Sequence, residues 1–352
     1  MQGTGSLLLG WLCALPLLAH ADAAPERPAA GFLTSIQASA SLQGVLDEAI
    51  GELRRQDSAL HEQTIRAALI DLPGEGPAQL AHWNGDSSVY PASVPKFAYL
   101  MAAYAWRDLG RLDIDTAFDR QLQAMIYRSS NSATQRVLRR LTRTEPGPRL
   151  SAEEYAQFAY RRHAVKRWLQ ELGIADLHLV HPTYNGGGDL HGRDVQFLED
   201  RNVPGCLPDQ TGQFRNRQAM TANDTTRLLA LLAEGLALTP ATSAEVLARM
   251  RRDPRRQPYL WKRIAGGADP GAGDLEVYSK TGTWGPIYAD AGIVRHRSGH
   301  QLALSVFIEG TPAYRGPFIA RLTRALVSEL LTEGATASGR PGSRTRPAAA
   351  RG

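Results

Sequence analysis

The sequence predicts a mixed α/β fold of the α+β type, with a five-stranded antiparallel sheet, a helix at each end of the domain and an all-helical lobe beside the sheet. Three observations predict it. Short β-type runs fall into two groups, residues 64–83 and 275–309; a long stretch of helical periodicity separates the groups; and amphipathic helices flank both. Packing helices against one antiparallel sheet is the simplest way to bury the apolar faces of all these elements.

The elements before the lobe are one helix and one hairpin. Residues 36–53 predict a long amphipathic helix, because their apolar residues recur at helical spacing. Residues 64–72 (TIRAALIDL) and 78–83 are short β-type runs, and the prolines and glycines between them predict the turn of a hairpin. Two adjacent strands therefore follow the first helix.

The lobe and the elements after it are read in the same way. Residues 94–238 are mainly helical in pattern. Three β-type runs and a closing amphipathic helix then follow, over residues 275–279, 287–295, 301–309 and 318–331. The sheet is therefore completed by strands from the far end of the chain.

The two ends of the chain differ in composition from the domain between them. Residues 6–19 are an apolar run too short to span a bilayer comfortably, and the small-x-small sequence Ala21-Asp22-Ala23 follows it. We predict a secretory signal peptide over residues 1–23, which places the protein in the periplasm or outside the cell, without a membrane span once the peptide is cleaved. No Lys or Arg precedes the apolar run, so an uncleaved N-terminal anchor is the alternative.

The remaining boundaries follow from composition. Residues 24–35 form a linker, residues 36–332 form one globular domain with its helical lobe over about residues 93–255, and residues 333–352, rich in Gly, Ala, Pro and Arg, form a disordered tail. The chain has 352 residues, of which 43% are hydrophobic and 21% charged, which is ordinary for a globular protein.

Charge and cysteine content exclude several classes of function. The formal net charge is +5, but four arginines stand in the last thirteen residues, so the basicity is partly a property of the tail and predicts no nucleic-acid partner. Cleavage of the leader would leave Cys206 as the one cysteine, which excludes an internal disulfide and disfavours a cysteine-built metal site. We expect no cofactor, no metal and a monomer.

The first candidate motif is Ser93-Val94-Pro95-Lys96, which follows a loop and opens a predicted helix. Residues three apart on a helix lie on one face, so the Lys96 amine can reach the Ser93 hydroxyl. A serine hydroxyl is a poor nucleophile until a base takes its proton, and a lysine whose pKa is lowered by burial can be that base. By itself, the motif is much more often a capping serine followed by a solvated lysine, because a serine and a lysine three residues apart arise often by chance.

Two further motifs follow in the chain. Ser129-Ser130-Asn131 lies where one helix ends and another begins. Lys280-Thr281-Gly282-Thr283 ends a predicted strand, where Gly282 permits a close approach of a ligand to the backbone. Each is ordinary capping or turn sequence when taken alone. Their common order, at a helix start, an inter-helix loop and a strand, is what favours a catalytic site.

Here the sequence resembles the serine β-lactamases and penicillin-binding proteins, whose S-x-x-K, S-D-N and K-T-G motifs it matches in order. It is most similar to the class A β-lactamases, because residues 125–138 (MIYRSSNSATQRVL) and 220–250 also look like segments of that family. The resemblance extends over about residues 42–331. It implies a β-lactamase-like two-lobe fold and an acyl-enzyme mechanism without a cofactor.

Carried over by position, the resemblance implies a role for each motif residue. Ser93 would be the acylated nucleophile, Lys96 its base or proton relay, and Ser129 the proton shuttle to the leaving nitrogen. Asn131 would bind the substrate amide, and Lys280 would hold Ser129. Further along the strand, Thr281, Gly282 and Thr283 would line the edge on which the substrate lies, and the backbone N–H groups of Ser93 and Thr283 would form the oxyanion hole.

The sequence departs from the family at the deacylation step. Class A enzymes use a loop glutamate followed closely by Pro and Asn, and the best match is His181-Pro182-Thr183-Tyr184-Asn185, with His181 in the place of the glutamate. A neutral His181 could itself activate water, with Asn185 as the other candidate at this step, or Glu199 or Asp200 could approach the site instead. The remaining alternative is that His181 is a loop histidine without function. Without a base the protein would acylate and turn over slowly. A second departure is Ser130, which replaces the usual aspartate.

Three functions stay open on the sequence. The resemblance favours a serine hydrolase that opens β-lactams through an acyl-enzyme on Ser93, as a resistance enzyme or in β-lactam catabolism. A D,D-peptidase of the penicillin-binding type, which acylates on D-Ala-D-Ala peptides of peptidoglycan, is the main alternative, because the glutamate is missing. A catalytically silent β-lactam-binding protein is the third. The small-molecule partner is a β-lactam or a D-Ala-D-Ala peptide.

Overall fold

The computed structural model describes residues 28–181, 191–200, 202–203, 218–269 and 273–332. In these ranges twelve α-helices surround one sheet. The strands are β1 Gln37–Ala38, β2 Thr64–Leu72, β3 Gln79–Trp83, β4 Leu275–Trp284, β5 Ile287–His296 and β6 Gln301–Glu309. The helices are α1 Pro28–Ser35, α2 Ala40–Gln56, α3 Lys96–Asp108, α4 Thr116–Tyr127, α5 Asn131–Thr142, α6 Ala152–Arg162, α7 Ala164–Glu171, α8 Arg193–Glu199, α9 Ala222–Ala233, α10 Pro240–Met250, α11 Ile264–Ala268 and α12 Phe318–Val327.

The sheet confirms the predicted architecture and adds one strand to it. The strand order is β1-β3-β2-β6-β5-β4, and every pair except the first is antiparallel. The prediction of five strands was wrong, because β1 is a sixth strand, two residues long and parallel to β3. The Gln37 N–H donates a hydrogen bond to the Ala78 carbonyl oxygen at 2.9 Å and holds β1 beside β3. A two-residue strand is too short to show a periodicity of its own.

Several element ends differ from the prediction for local reasons. The first long helix begins at Ala40, four residues later than predicted, because the Ser39 hydroxyl accepts a hydrogen bond from the Leu42 N–H and caps it. The α-helical part of the closing helix ends at Val327, and a π-helical turn, Ser328–Thr332, follows it directly. Strand β4 runs to Trp284, so Lys280-Thr281-Gly282-Thr283 lies inside the strand and not at its end.

The sheet separates two apolar cores. One core lies between the sheet and the helical lobe and includes buried residues of α3, α4, α5 and α9, whereas the other lies between the sheet and helices α2, α11 and α12. In β4, Tyr278 belongs to the first core and Val277 to the second. Because successive side chains of a strand point to opposite faces, the even-numbered residues of β4 face the lobe.

None of the helices in the described ranges has both the length and the apolar composition needed to cross a bilayer. The predicted leader, the first part of the linker and the tail lie outside the described residues. So does Cys206.

Candidate active site

The nucleophile candidate lies in a turn that leads into α3. The helix begins at Lys96 and not at Ser93, which the sequence placed in its first turn; Pro95 is the capping residue. The Val94 N–H donates to the Pro91 carbonyl at 3.1 Å, and Ala92 has a φ of 50°, in the left-handed region. A non-glycine residue in that region is strained, and such strain occurs where a side chain must be held in a set place.

The Lys96 side chain is buried, with 1% of its surface exposed, and its amine lies among four oxygen atoms. The Nζ atom is 2.9 Å from Ser93 Oγ, 2.7 Å from the Ser129 carbonyl oxygen, 3.2 Å from Ser129 Oγ and 2.7 Å from Asn131 Oδ1. Burial lowers the pKa of Lys96 from 10.5 to about 7. The amine is therefore neutral in a large share of molecules at neutral pH.

The chemistry of these partners orients the neutral amine. The Ser129 carbonyl and the Asn131 amide oxygen can only accept hydrogen bonds, so they take the two N–H groups of a neutral Lys96. The nitrogen lone pair then remains for the proton of the Ser93 hydroxyl. This arrangement can act as a general base toward Ser93.

Ser129 lies between two lysines. Its hydroxyl oxygen is 3.2 Å from Lys96 Nζ and 3.0 Å from Lys280 Nζ, and its backbone has a φ of 55°. The next residue explains how the loop tolerates the loss of the usual aspartate: the Ser130 hydroxyl accepts a hydrogen bond from the Ala133 N–H at 3.2 Å and caps α5. Asn131 is the first residue of that helix.

Lys280 is the second buried amine of the site, with 1% exposure. Its Nζ donates to the Ser129 hydroxyl at 3.0 Å and to the Thr281 carbonyl at 2.7 Å. Burial, and then the positive charges of Lys96 and Arg252, hold the pKa of Lys280 well below its usual value. Two amines that share one hydroxyl in a buried site disfavour the doubly charged state.

The other residues of the third motif divide between the two faces of β4. Gly282 lies on the same face as Lys280, toward the lobe, whereas Thr281 and Thr283 point to the opposite face. The Thr283 hydroxyl accepts a hydrogen bond from Arg263 Nη2 at 2.6 Å. Because β4 is the last strand of the sheet, a substrate bound along it would lie against the backbone edge more than against the threonine side chains.

Gly282 is needed for a contact inside the protein. A Cβ atom at this position would lie 2.7 Å from the Pro91 carbonyl oxygen, 3.0 Å from Val94 Cγ2 and 3.2 Å from the Ser93 nitrogen. The sequence predicted a close approach of a ligand; the structure shows that the Ser93 turn itself makes that approach. The contact brings the Ser93 N–H beside the β4 backbone, as an oxyanion hole built from Ser93 and Thr283 requires.

We therefore expect Gly282→Ala to slow acylation of Ser93 by roughly 10- to 100-fold, because the added methyl group pushes the nucleophile turn off β4 and weakens the oxyanion hole. Gly44→Ala is the matched control, since a Cβ atom there meets no atom within 4 Å. Acylation is followed by intact mass. A Gly282→Ala rate equal to that of the control would show that the contact does not position Ser93.

Of the two residues predicted to serve deacylation, His181 lies within the described residues. His181 is buried, its ring is stacked on Phe197 with centroids 6.4 Å apart, and its carbonyl accepts from Gln218 Nε2 at 2.5 Å. Gln218 also bonds the Tyr99 hydroxyl, one turn after Lys96 on α3. Asn185 lies outside the described residues. A role for His181 and Asn185 in deacylation stays a prediction.

The two alternative acids have partners of their own. Glu199 bonds Arg149 at 2.9 Å, and both side chains are 58% exposed. Asp200 accepts from the Tyr155 hydroxyl at 2.7 Å. These contacts tie both carboxylates to the α6 side of the lobe, and neither contact supports a catalytic role.

Sequence reasoning missed two buried arginines that support the site. Arg252 donates from Nε to the Ser279 carbonyl and from Nη2 to the Ile126 carbonyl, both at 2.9 Å. It therefore ties the strand that carries Lys280 to the helix that precedes Ser129. Arg263, 3% exposed, orients the Thr283 hydroxyl. Neither arginine belongs to a short motif, and no local pattern distinguishes them from the many other arginines of the chain.

A known protein family matches the larger part of the chain. The sequence profile described as the beta-lactamase enzyme family matches residues 121–330, more than half of the chain. The matched part includes Ser129, Asn131 and Lys280. No curated protein matches the sequence.

Solved structures share the fold at low identity. PBP-A is 19% identical with a TM-score of 0.55, over 82% of this chain and 96% of that chain. A beta-lactamase from Sphaerobacter thermophilus is 19% identical with a TM-score of 0.55, over 82% and 97%. TLA-1 extended spectrum beta-lactamase is 16% identical with a TM-score of 0.57, over 82% and 99%. With the family match and the confirmed two-lobe fold, these similarities give one conclusion: the chain belongs to the beta-lactamase enzyme family.

Proposed function

We propose that the protein is a serine hydrolase that opens β-lactams through an acyl-enzyme on Ser93. The observation that carries this proposal is the position of Lys96 Nζ, 2.9 Å from Ser93 Oγ, in an environment that lowers the pKa of the amine to about 7. A base of that pKa is matched to proton transfer at neutral pH.

In the first step, neutral Lys96 takes the proton of the Ser93 hydroxyl while Ser93 Oγ attacks the lactam carbonyl carbon. The carbonyl oxygen becomes an oxyanion, which the N–H groups of Ser93 and Thr283 stabilise. When the intermediate collapses, the C–N bond breaks, the Ser129 hydroxyl gives its proton to the leaving nitrogen, and Lys96 returns a proton to Ser129. The short Ser129 contacts with both amines support this relay.

In the second step, a base takes a proton from a water molecule while the water oxygen attacks the acyl carbon. The ester bond to Ser93 Oγ breaks, Ser93 Oγ takes a proton back from that base, and a ring-opened acid leaves. This step needs a base that delivers water to the ester. We propose His181 for it, on its sequence position alone.

A D,D-peptidase is the second candidate, and the absence of the loop glutamate favours it. The same acylation chemistry would then act on a D-Ala-D-Ala peptide. One similar structure is an acyl-enzyme complex of a PBP-A mutant with penicillin-G, which is 18% identical to this chain with a TM-score of 0.53. Either activity belongs outside the cytoplasm, and we propose that the protein is exported to the periplasm or secreted.

The test is to mix the mature protein with a chromogenic cephalosporin and to follow colour and intact mass together. Sustained colour with a short-lived adduct, mapped to the peptide that contains Ser93, would support the β-lactamase. A persistent adduct on that peptide, with a single turnover of colour, would support the peptidase type, which D-Ala-D-Ala peptide cleavage would then check. If neither colour nor an adduct appears, the acyl-enzyme proposal is contradicted and a silent binding protein is favoured.

A further inference from the structure

Two aromatic rings meet at the edge of the candidate site. Trp284 is the last residue of β4 and is 58% exposed, and Tyr90 lies three residues before Ser93. Their ring centroids are 5.3 Å apart and their planes are at 81°, an edge-to-face contact. The two segments that supply the Ser93 and Thr283 N–H groups therefore also supply this pair, which we call the aromatic wall.

The register of β4 places the aromatic wall on the reactive face of the sheet. Lys280, Gly282 and Trp284 are alternate residues, so their side-chain positions share the face that looks toward the lobe. Gly282 contacts the Ser93 turn. Trp284 is two residues further on, roughly 7 Å along the strand at about 3.3 Å per residue.

The direction along β4 also distinguishes the two sides of a substrate. The leaving nitrogen must lie near the Ser129 hydroxyl, which Lys280 Nζ contacts at 3.0 Å. The reacting carbonyl must lie beside Ser93 and Gly282. The next position in the same direction, at Trp284, is therefore on the acyl side, away from the leaving group.

Folding does not explain the exposure of the indole. An aromatic side chain stabilises a fold by burying its surface, yet more than half of Trp284 stays open to solvent. The Tyr90 ring contacts the indole edge to face and limits the rotation of the Trp284 side chain. A molecule that packs on the indole therefore loses less binding free energy to the ordering of that side chain. An exposed, restrained ring beside a reactive centre is suited to recognition.

We propose that the aromatic wall selects acyl donors that carry a planar aryl group on the acyl side of the scissile bond. The proposal rests on the acyl-enzyme function above and names its substrate class. An aryl ring packed on the indole is expected to raise the acylation rate or the affinity by roughly 2- to 10-fold beyond the effect of area burial.

The test compares two penicillins that differ by one phenyl ring, benzylpenicillin and 6-acetamidopenicillanic acid. The measured quantity is the ratio of their acylation rates, benzylpenicillin over acetamido analogue, from time-resolved intact mass. We expect Trp284→Ala to lower this ratio by roughly 2- to 10-fold and Trp284→Phe, which keeps a ring, to restore most of it. Trp261→Ala is the matched control, because Trp261 is a 46% exposed tryptophan in the Pro258–Lys262 turn, which packs on α12 across the sheet.

The outcomes separate this inference from the proposed function. A ratio that falls in Trp284→Ala but not in Trp261→Ala supports the aromatic wall. If the ratio is unchanged in Trp284→Ala, whether or not both penicillins acylate more slowly, the proposed role of the aromatic wall is wrong and the acyl-enzyme function is unaffected. If neither penicillin acylates the unaltered protein, the acyl-enzyme function fails and the aromatic wall fails with it.

Discussion

The Ser93→Ala variant is expected to form no covalent adduct with any penicillin or cephalosporin and to lose all lactam hydrolysis above background. The reason is that Ser93 Oγ is the hydroxyl oxygen that lies both 2.9 Å from the Lys96 amine and in the turn packed on Gly282. Ser129 Oγ also contacts Lys96, at 3.2 Å, but it accepts a hydrogen bond from Lys280 as well, and in the proposed mechanism it carries a proton instead of attacking. The measurement is intact mass after incubation with excess lactam.

Two controls make the Ser93→Ala result specific. Ser88→Ala removes an exposed serine from the same loop and should acylate normally. Ser93→Ala itself should still bind the lactam non-covalently, because its backbone N–H and Lys280 are unchanged, and competition with a fluorescent penicillin on the unaltered protein can detect this. An adduct that persists in Ser93→Ala would move the nucleophile elsewhere and end the proposed mechanism.

Replacing Lys96 with methionine is the second large effect, with acylation expected to fall by about 1,000-fold, within the usual range for loss of a positioned general base. Methionine fills a similar volume but has no amine to take the Ser93 proton. The rate constant for adduct formation is the measurement. Lys262→Met is the control, because the Lys262 amine bonds the Arg315 carbonyl at an exposed position. A fall of less than about tenfold in Lys96→Met would remove Lys96 from the role of base.

The pKa of Lys96 also sets the pH dependence of the unaltered protein. The base must be neutral, so acylation should rise with pH, pass its midpoint near a pKa of about 7 and then level off. Lys96→Met should lose this midpoint. The stability effect has its own sign: between pH 7 and 10.5 the unfolded chain binds a proton that the folded Lys96 has released, so the stability of the unaltered protein relative to Lys96→Met should increase with pH.

The predicted elements that hold best are those with a strong pattern. Strands 64–72 and 301–309 have the predicted ends, because each is a continuous β-type run between turn residues. Strand β1 could not be predicted, since two residues carry no period. The end of β4 was misplaced because Gly282 resembles a turn residue, although it stands within a ladder paired to β5 through Trp284.

The candidate site divides in the same way. The three motifs could be found because chemistry requires their residue types at set positions, and Ser93, Lys96, Ser129, Asn131 and Lys280 do lie together. The supporting residues could not be found, because Arg252 reaches the site through backbone carbonyls at positions 126 and 279, far apart in the chain. Such contacts leave no spacing in a sequence.

The sequence by itself determined the α+β architecture, the order of the motifs and the family, since periodicity and residue type are local properties. Only the tertiary structure decided that Lys96 is buried among acceptors, that Gly282 makes room for the Ser93 turn, and that Trp284 shares a face with Lys280. Burial, pKa and close contact depend on which segments the fold brings together. The free-energy difference between the charged and neutral forms of a buried amine, which sets its pKa, depends on the groups around it, and these groups come from distant parts of the chain.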